Sequence, residues 1–326
     1  MTAAPRPATA KRWFEAVRQD LTIIENKMLL KARTQESTLD TAIEAIIRSG
    51  GKRLRPTITV LTGKAFRALW ENIASIAASI ELLHTATLVH DDLVDGADER
   101  RGVATLHSRL PLGITVLSGD LLFAQSAALA AEANDVRIVR LFADTLVKIC
   151  RGEILQAQTR WQIPSLAIYQ ERIYGKTASL FEASAAAGAI LGESTESEIQ
   201  AMTQFGRDLG LAFQIMDDAL DFEASAAVLG KPAGHDMRQG IFNLPVMYYV
   251  DEGYIAEGEL RERLTNGDNH IDELVADMRG RGMIEKSIGQ ARQHIHLAHE
   301  ALDQLPDNLY THYLREVADY ALQRSY

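Results

Sequence analysis

The stretch from Leu82 to Gly102, LLHTATLVHDDLVDGADERRG, constrains the chain most, because it places Asp91, Asp92 and Asp95 near the end of a long apolar helical run. On an ideal helix, at about 100° per residue, Asp91 and Asp95 share one face and His84 lies within about 20° of Asp91. Carboxylates so close repel one another, and their pKa values rise unless a cation sits among them. Hard oxygen donors in an open arrangement suit Mg2+ bound jointly with a substrate phosphate. The same spelling also fits a solvated helix end whose acids merely face water. Two further features favour the metal. Arg100 and Arg101 follow at once, a pair suited to diphosphate oxygens through planar, charge-assisted forks. Later, Phe213 to Phe222, FQIMDDALDF, sets Gln214, Asp217, Asp218 and Asp221 on one helical face.

With 326 residues, 47% of them hydrophobic, the chain has ample material for a core. Its formal net charge of -10 argues against a nucleic-acid partner, since no broad cationic surface releases counterions. A single cysteine, Cys150, excludes an intramolecular disulfide framework and fits a reducing cytoplasm. It reads as a small buried apolar residue. Residues 1–10, MTAAPRPATA, lack periodicity and read as a loose tail without a signal-peptide core. No apolar run reaches roughly 18 residues without charge or polar interruption, so no transmembrane helix is expected and the protein reads as soluble.

Apolar positions recur at helical spacing from Lys11 to Lys31 (Phe14, Val17, Leu21, Ile24, Met28, Leu29), and a second helix is expected over Leu39 to Arg48. An αL cap at Gly50-Gly51 would end it, before Lys52-Arg53-Leu54-Arg55-Pro56. Those basic residues read either as a solvated turn complementing the helix's negative end or as an anion site that glycines open to close approach. Further helices are expected at about 57–68, 71–95, 114–132, 136–162, 166–191 and 195–224, separated by Gly, Pro or Asn signals. No segment keeps strand alternation and no linker composition appears. The expected fold is one all-α domain over 11–326, built from long helices.

Lys176-Thr177, after Gly175, reads as an ordinary helix start or as a phosphate contact. Val228 to Pro245, VLGKPAGHDMRQGIFNLP, carries Lys231 and Asp236 in a glycine- and proline-interrupted loop that could close over a bound anion. His294, His296 and His299 are not a ligand set, because the first two point about 160° apart on a helix.

GGKRLRP at Gly50 to Pro56, His84 to Gly102 with DDxxD and RRG, Gly119-Asp120, Lys176-Thr177, Gln214 with the second DDxxD, and Gly230-Lys231 occur in an order that resembles the trans-isoprenyl (polyprenyl) diphosphate synthase family. The resemblance implies an all-α bundle of long helices around a central cavity, two acidic motifs at its mouth, and usually a homodimer. It implies Asp91, Asp95 and Asp217 as principal Mg2+ ligands, with Asp92, Asp218 and Asp221 in support, for an allylic prenyl diphosphate. Arg100, Lys176, Thr177, Gln214 and Lys231 match further contacts to that substrate; Lys52, Arg55, His84 and Arg101 match those to isopentenyl diphosphate.

The implied reaction is Mg2+-dependent ionisation, condensation and elimination. Family members block the cavity with an aromatic residue four or five positions before the first aspartate. Here those positions are Thr87 and Ala86, one turn above Leu83, which implies an all-trans product longer than the twenty-carbon geranylgeranyl chain. Two positions depart from the family pattern: Ile241 stands where a lysine is common and Asn243 where a threonine is. The alternatives are a shorter-chain synthase, the catalytic subunit of a heteromeric synthase, an all-α terpene cyclase, and a non-catalytic prenyl-binding homologue. A cyclase has no use for the second diphosphate site that GGKRLRP and His84 suggest.

Overall fold

The computed structural model of the chain describes residues 12–34, 36–223, 233–265 and 268–323; the tail 1–10 and Lys231 lie outside them. Among the described residues the regular structure is helical apart from one two-stranded ribbon, as the periodicity of the sequence predicts. These residues fall into two compact units, one within 1–143, 183–202 and 305–317, the other within 144–182, 203–304 and 318–326.

In the first unit, helices α1 (Arg12–Lys31), α2 (Ser37–Arg48), α3 (Leu54–Ala65), α4 (Trp70–Asp95), α5 (Leu106–Arg109) and α6 (Leu112–Ala131) follow in order. The axis is α4, which packs against α1, α3 and α6. Ile73, Ile76, Leu82, Leu83 and Val89 on it are buried, and each such side chain stabilises by about 1.5–3 kcal/mol relative to exposure. Small residues let the helices approach closely. Ser79 Oγ donates to Ser126 O at 2.7 Å and Ser126 Oγ donates to Ser79 O at 2.7 Å, which satisfies both hydroxyls inside the α4–α6 seam. Where α3 meets the end of α9 (Ser179–Ile190), a Cβ on Gly188 would lie 2.7 Å from Gly63 N. Gly96, at φ 65°, caps α4 in the left-handed region and frees the chain to turn after Asp95.

By length and mean hydropathy, α4 and α6 are both long and apolar enough to cross a membrane, contrary to the sequence expectation. Averaged hydropathy outweighs the single polar interruptions on which that expectation rested. Of the apolar windows, 78% is buried in α4 but only 39% in α6, where Leu112, Ile114 and Leu117 are exposed.

The second unit holds the later part of α7 (Val136–Gln158), α8 (Leu166–Ile173), most of α10 (Glu196–Glu223), and the helices Leu244–Asp251, Glu257–Thr265, Asp268–Gly280 and Met283–Leu302. Phe222, Met237, Phe242, Val246, Leu260 and Met278 form the centre of its core. Between α8 and α9 the helix widens into a π turn, Tyr174–Ala178. Gly152 and Gly175 explain it: a Cβ on Gly175 would lie 2.8 Å from Lys148 O, so the π turn and α7 meet backbone to backbone. His294, His296 and His299 pair with three different carboxylates, Asp208, Glu300 and Asp319, in line with their reading as packing or surface residues.

Several local expectations need correction. Gly50 and Gly51 do not form an αL cap; Ser49 ends α2 at φ -71° and the left-handed residue is Arg53, at φ 50°. The glycines instead clear space for arginines: a Cβ on Gly50 would strike the Arg53 guanidinium, and one on Gly51 would lie 2.9 Å from Arg101 Nη2. Cys150 is exposed, not buried. The helix expected to reach residue 162 ends at Gln158, and Trp161, at φ 61°, donates its N–H to Gly240 O at 2.8 Å.

Candidate functional site

The end of α4 sorts its three aspartates by burial. Asp92 is 5% exposed and accepts from Arg100 Nε at 2.6 Å, whereas Asp91 is half-buried and Asp95 is exposed. Burial pushes the Asp92 carboxyl up, and Arg100 pulls it back. Arg100 and Arg101 ride on a two-residue ribbon, Glu99–Arg100 paired with Val103–Ala104, whose turn holds Arg101 at φ 54° and Gly102 at φ 76°.

Around this end lies a cationic set. Half-buried His84 is held well below the usual imidazole range, by desolvation first and then by Arg55, Arg101, Arg100 and Arg53. It is therefore a neutral ring among arginines at pH 7. Arg53 is engaged elsewhere: it donates to Glu81 at 2.7 Å, to Glu25 at 3.1 Å and to Ile47 O. That fixes the GGKRLRP turn structurally and brings Lys52, exposed, and Arg55, half-buried, to the same end of the unit as His84 and Arg101. The sequence separated Lys52 and Arg55 from Arg53 only through the family resemblance; the acids Glu25 and Glu81, distant in sequence, supply the physical reason.

The second acidic helix repeats the division. Asp218 is 3% exposed, while Asp217 and Asp221 are half-buried. Asp218 accepts from Tyr169 Oη at 2.7 Å and from Gln214 Nε2 at 2.8 Å, and Gln214 Oε1 in turn accepts from Thr177 Oγ1 at 2.7 Å. Burial, and then the neighbouring Asp236, push the Asp218 carboxyl up to about 7 against the pull of these donors. Lys176 is held by Glu153, with Nζ–Oε1 at 2.9 Å. The π turn puts Lys176 and Thr177 on the chain in widened helix, not at a helix start. Residues 233–243 are tied to α10: Gly234 N donates to Asp221 O at 2.9 Å and Asp236 N donates to Asp221 Oδ2 at 3.2 Å.

Sequence reasoning missed Tyr169, Arg172 and Glu153, whose partners are 20 or more residues away and leave no local pattern.

Among the described residues no three histidine, cysteine or carboxylate side chains close into a metal cage. The donors nevertheless fit Mg2+, which takes one or two carboxylates and fills its octahedron with water and substrate phosphate. Asp91 with Asp95, and Asp217 with Asp221, each offer two hard oxygen donors one turn apart at accessible positions. On α4, Leu83 and Ala86 are buried at 1% and 0% exposure, and Thr87, half-buried, donates to His84 O at 2.8 Å. Thr87 is thus the accessible member of the candidate length-determining set.

Residues 36–278 match the family model described as polyprenyl synthetase. The chain is 35% identical over 315 residues to a prenyl transferase of Synechocystis, covering 95% of this chain and 97% of that protein. It is 34% identical to the octaprenyl diphosphate synthase of Haemophilus influenzae, covering 86% and 87%. Its fold matches the crystal structure of a polyprenyl synthase from Caulobacter crescentus complexed with calcium and isoprenyl diphosphate, with a TM-score of 0.90, 32% identity, and coverage of 98% and 99%.

Proposed function

Because this chain belongs to the polyprenyl synthetase family, we propose that it is a chain-elongating prenyltransferase, condensing isopentenyl diphosphate with an allylic prenyl diphosphate to a long all-trans product. The observation that supports the reading is two unlike polar sets, each suited to an anion: the arginine and histidine set of the first unit and the Lys176, Thr177, Gln214 set of the second. A cyclase needs one diphosphate site, and an elongating enzyme needs two.

Asp91, Asp95, Asp217 and Asp221 would hold Mg2+, with Asp92 and Asp218 in support. The metal, when bound, supplies Lewis-acid stabilisation of the leaving diphosphate. The allylic C–O bond breaks with its electron pair going to pyrophosphate, and Arg100, Lys176, Thr177, Gln214 and Lys231 stabilise that charge. Lys52, Arg55, His84 and Arg101 orient isopentenyl diphosphate so that its double bond forms the new C–C bond to the allylic cation. A proton then leaves to the departing pyrophosphate. We also assign the exposed apolar residues of α6 to the surface of a homodimer, since an apolar face of that kind is a liability in water.

The test is incubation with Mg2+, isopentenyl diphosphate and each allylic starter, followed by sizing of the product. A chain longer than twenty carbons is expected, as in the octaprenyl relative. Thr87→Phe and Ala86→Phe should shorten it, Thr87→Phe with less strain because Ala86 is fully packed. No isopentenyl incorporation would overturn the function; a fifteen- or twenty-carbon product that neither variant changes would overturn the length assignment.

A further inference from the structure

Arg172 on α8 is 2% exposed. Burying a guanidinium is costly unless its charge and its donors are met. Its Nη2 donates to Phe242 O at 2.9 Å and to Asn243 Oδ1 at 2.7 Å, and its Cζ lies 5.4 Å from the Tyr169 ring centroid. Neither hydrogen-bond acceptor is a carboxylate. The negative charge nearby belongs to the acidic cluster itself, since Tyr169 donates to Asp218 and Asp218 feels both Arg172 and Asp236.

The contacts continue in one line. Because Asn243 Oδ1 accepts from Arg172, its amide nitrogen is turned to donate to Asp236 Oδ2, at 2.8 Å. Asp236 N in turn donates to Asp221 Oδ2 at 3.2 Å. Arg172 therefore reaches a candidate metal ligand through two intermediates, and reaches Asp218 through Tyr169. Ile241, 8% exposed, brings no charge to this loop; the buried cation beside it comes from α8.

We propose that Arg172 is a positioning residue for the second acidic motif, holding residues 233–243 against Asp221 through Asn243 and Asp236 and offsetting the negative charge of Asp218 and Asp236. The proposal rests on the prenyltransferase reading for its kinetic consequence but not for its structural one. It makes Asn243 and Ile241 parts of one arrangement in which the loop's cation is supplied from another helix.

The test compares the full chain with Arg172→Met, which keeps volume and loses charge, and with Arg172→Met/Ile241→Lys, which returns a cation from the loop. Arg172→Lys is the fallback if the first does not fold. The expected result is about tenfold or greater weakening of Mg2+-dependent inorganic pyrophosphate binding by calorimetry, as misplacement of a supported site implies. The Michaelis constant for the allylic substrate should rise, that for isopentenyl diphosphate should stay level, and Ile241→Lys should recover part of the loss. Amide exchange at Gly234 and Asp236 should quicken in Arg172→Met. Unchanged pyrophosphate binding and unchanged exchange in a folded variant would overturn the proposal, as would equal loss for both substrates without rescue. Failure of the prenyltransferase reading would show separately, as an unmodified chain that turns over neither substrate.

Discussion

The two acidic motifs have the same spelling and nearly the same burial pattern, yet they neutralise their buried aspartate by different means. At the end of α4, Asp92 meets a guanidinium, Arg100, at 2.6 Å. On α10, Asp218 meets two neutral donors, Tyr169 and Gln214, and its carboxyl stands at about 7. In both, the second aspartate is turned into the protein while the first and last stay accessible. A DDxxD spelling therefore mixes two environments: an inward aspartate held by protein donors and outward aspartates left at accessible positions, the candidate metal ligands.

On that division, the largest effects come from substitution of the outward aspartates. Asp91→Ala and Asp217→Ala should abolish turnover with helical content intact by circular dichroism. Without Mg2+ their melting temperatures should stay level or rise, since one repelling charge is gone. Turnover within about tenfold of the parent, about 1.4 kcal/mol of barrier, would break the assignment.

Next in size is the separation of substrates. Arg55→Ala or His84→Ala should raise the Michaelis constant for isopentenyl diphosphate, and Lys176→Ala that for the allylic partner. Each should change by about tenfold to a hundredfold, the value of a lost charge-assisted hydrogen bond of about 1.5–3 kcal/mol. An inverted pattern would reverse the two anion sets.

The smallest effect is on pH dependence, and here His84 and Asp218 pull in opposite directions. The folded pKa of His84 is depressed, so its contribution to stability is present above about 6.5 and is lost as pH falls toward the folded value. The folded pKa of Asp218 is raised from 3.8 to about 7, so its contribution is present below 3.8 and is lost as pH rises through about 7. Melting curves of the metal-free protein should show His84→Gln flattening the acid limb and Asp218→Asn the alkaline limb. Identical pH profiles for both variants and the parent would remove the distinction.

Much of this was legible in the sequence because it is local. Apolar spacing gave the helices to within a few residues, and the i, i+4 spacing of Asp91 with Asp95 and of Asp217 with Asp221 already put each pair on one face. What was not legible depends on contacts between distant segments. Nothing near Arg53 announces Glu25 and Glu81, and nothing near Asp218 announces Tyr169. The glycines misled for the same reason. Gly50 and Gly51 look like a helix cap, but their missing Cβ atoms make way for side chains, one of them Arg101 about fifty residues on. The π turn at Tyr174–Ala178 likewise follows from Gly152 on another helix.

The division between inward and outward aspartates is tested most directly by counting bound Mn2+, a spectroscopic stand-in for Mg2+, by electron paramagnetic resonance in the presence of inorganic pyrophosphate. The parent should be compared with Asp91→Ala, Asp92→Asn, Asp217→Ala and Asp218→Asn. The account predicts that Asp91→Ala and Asp217→Ala lose bound metal while Asp92→Asn and Asp218→Asn retain it. Loss of metal in the Asn variants with full binding in the Ala variants would contradict it.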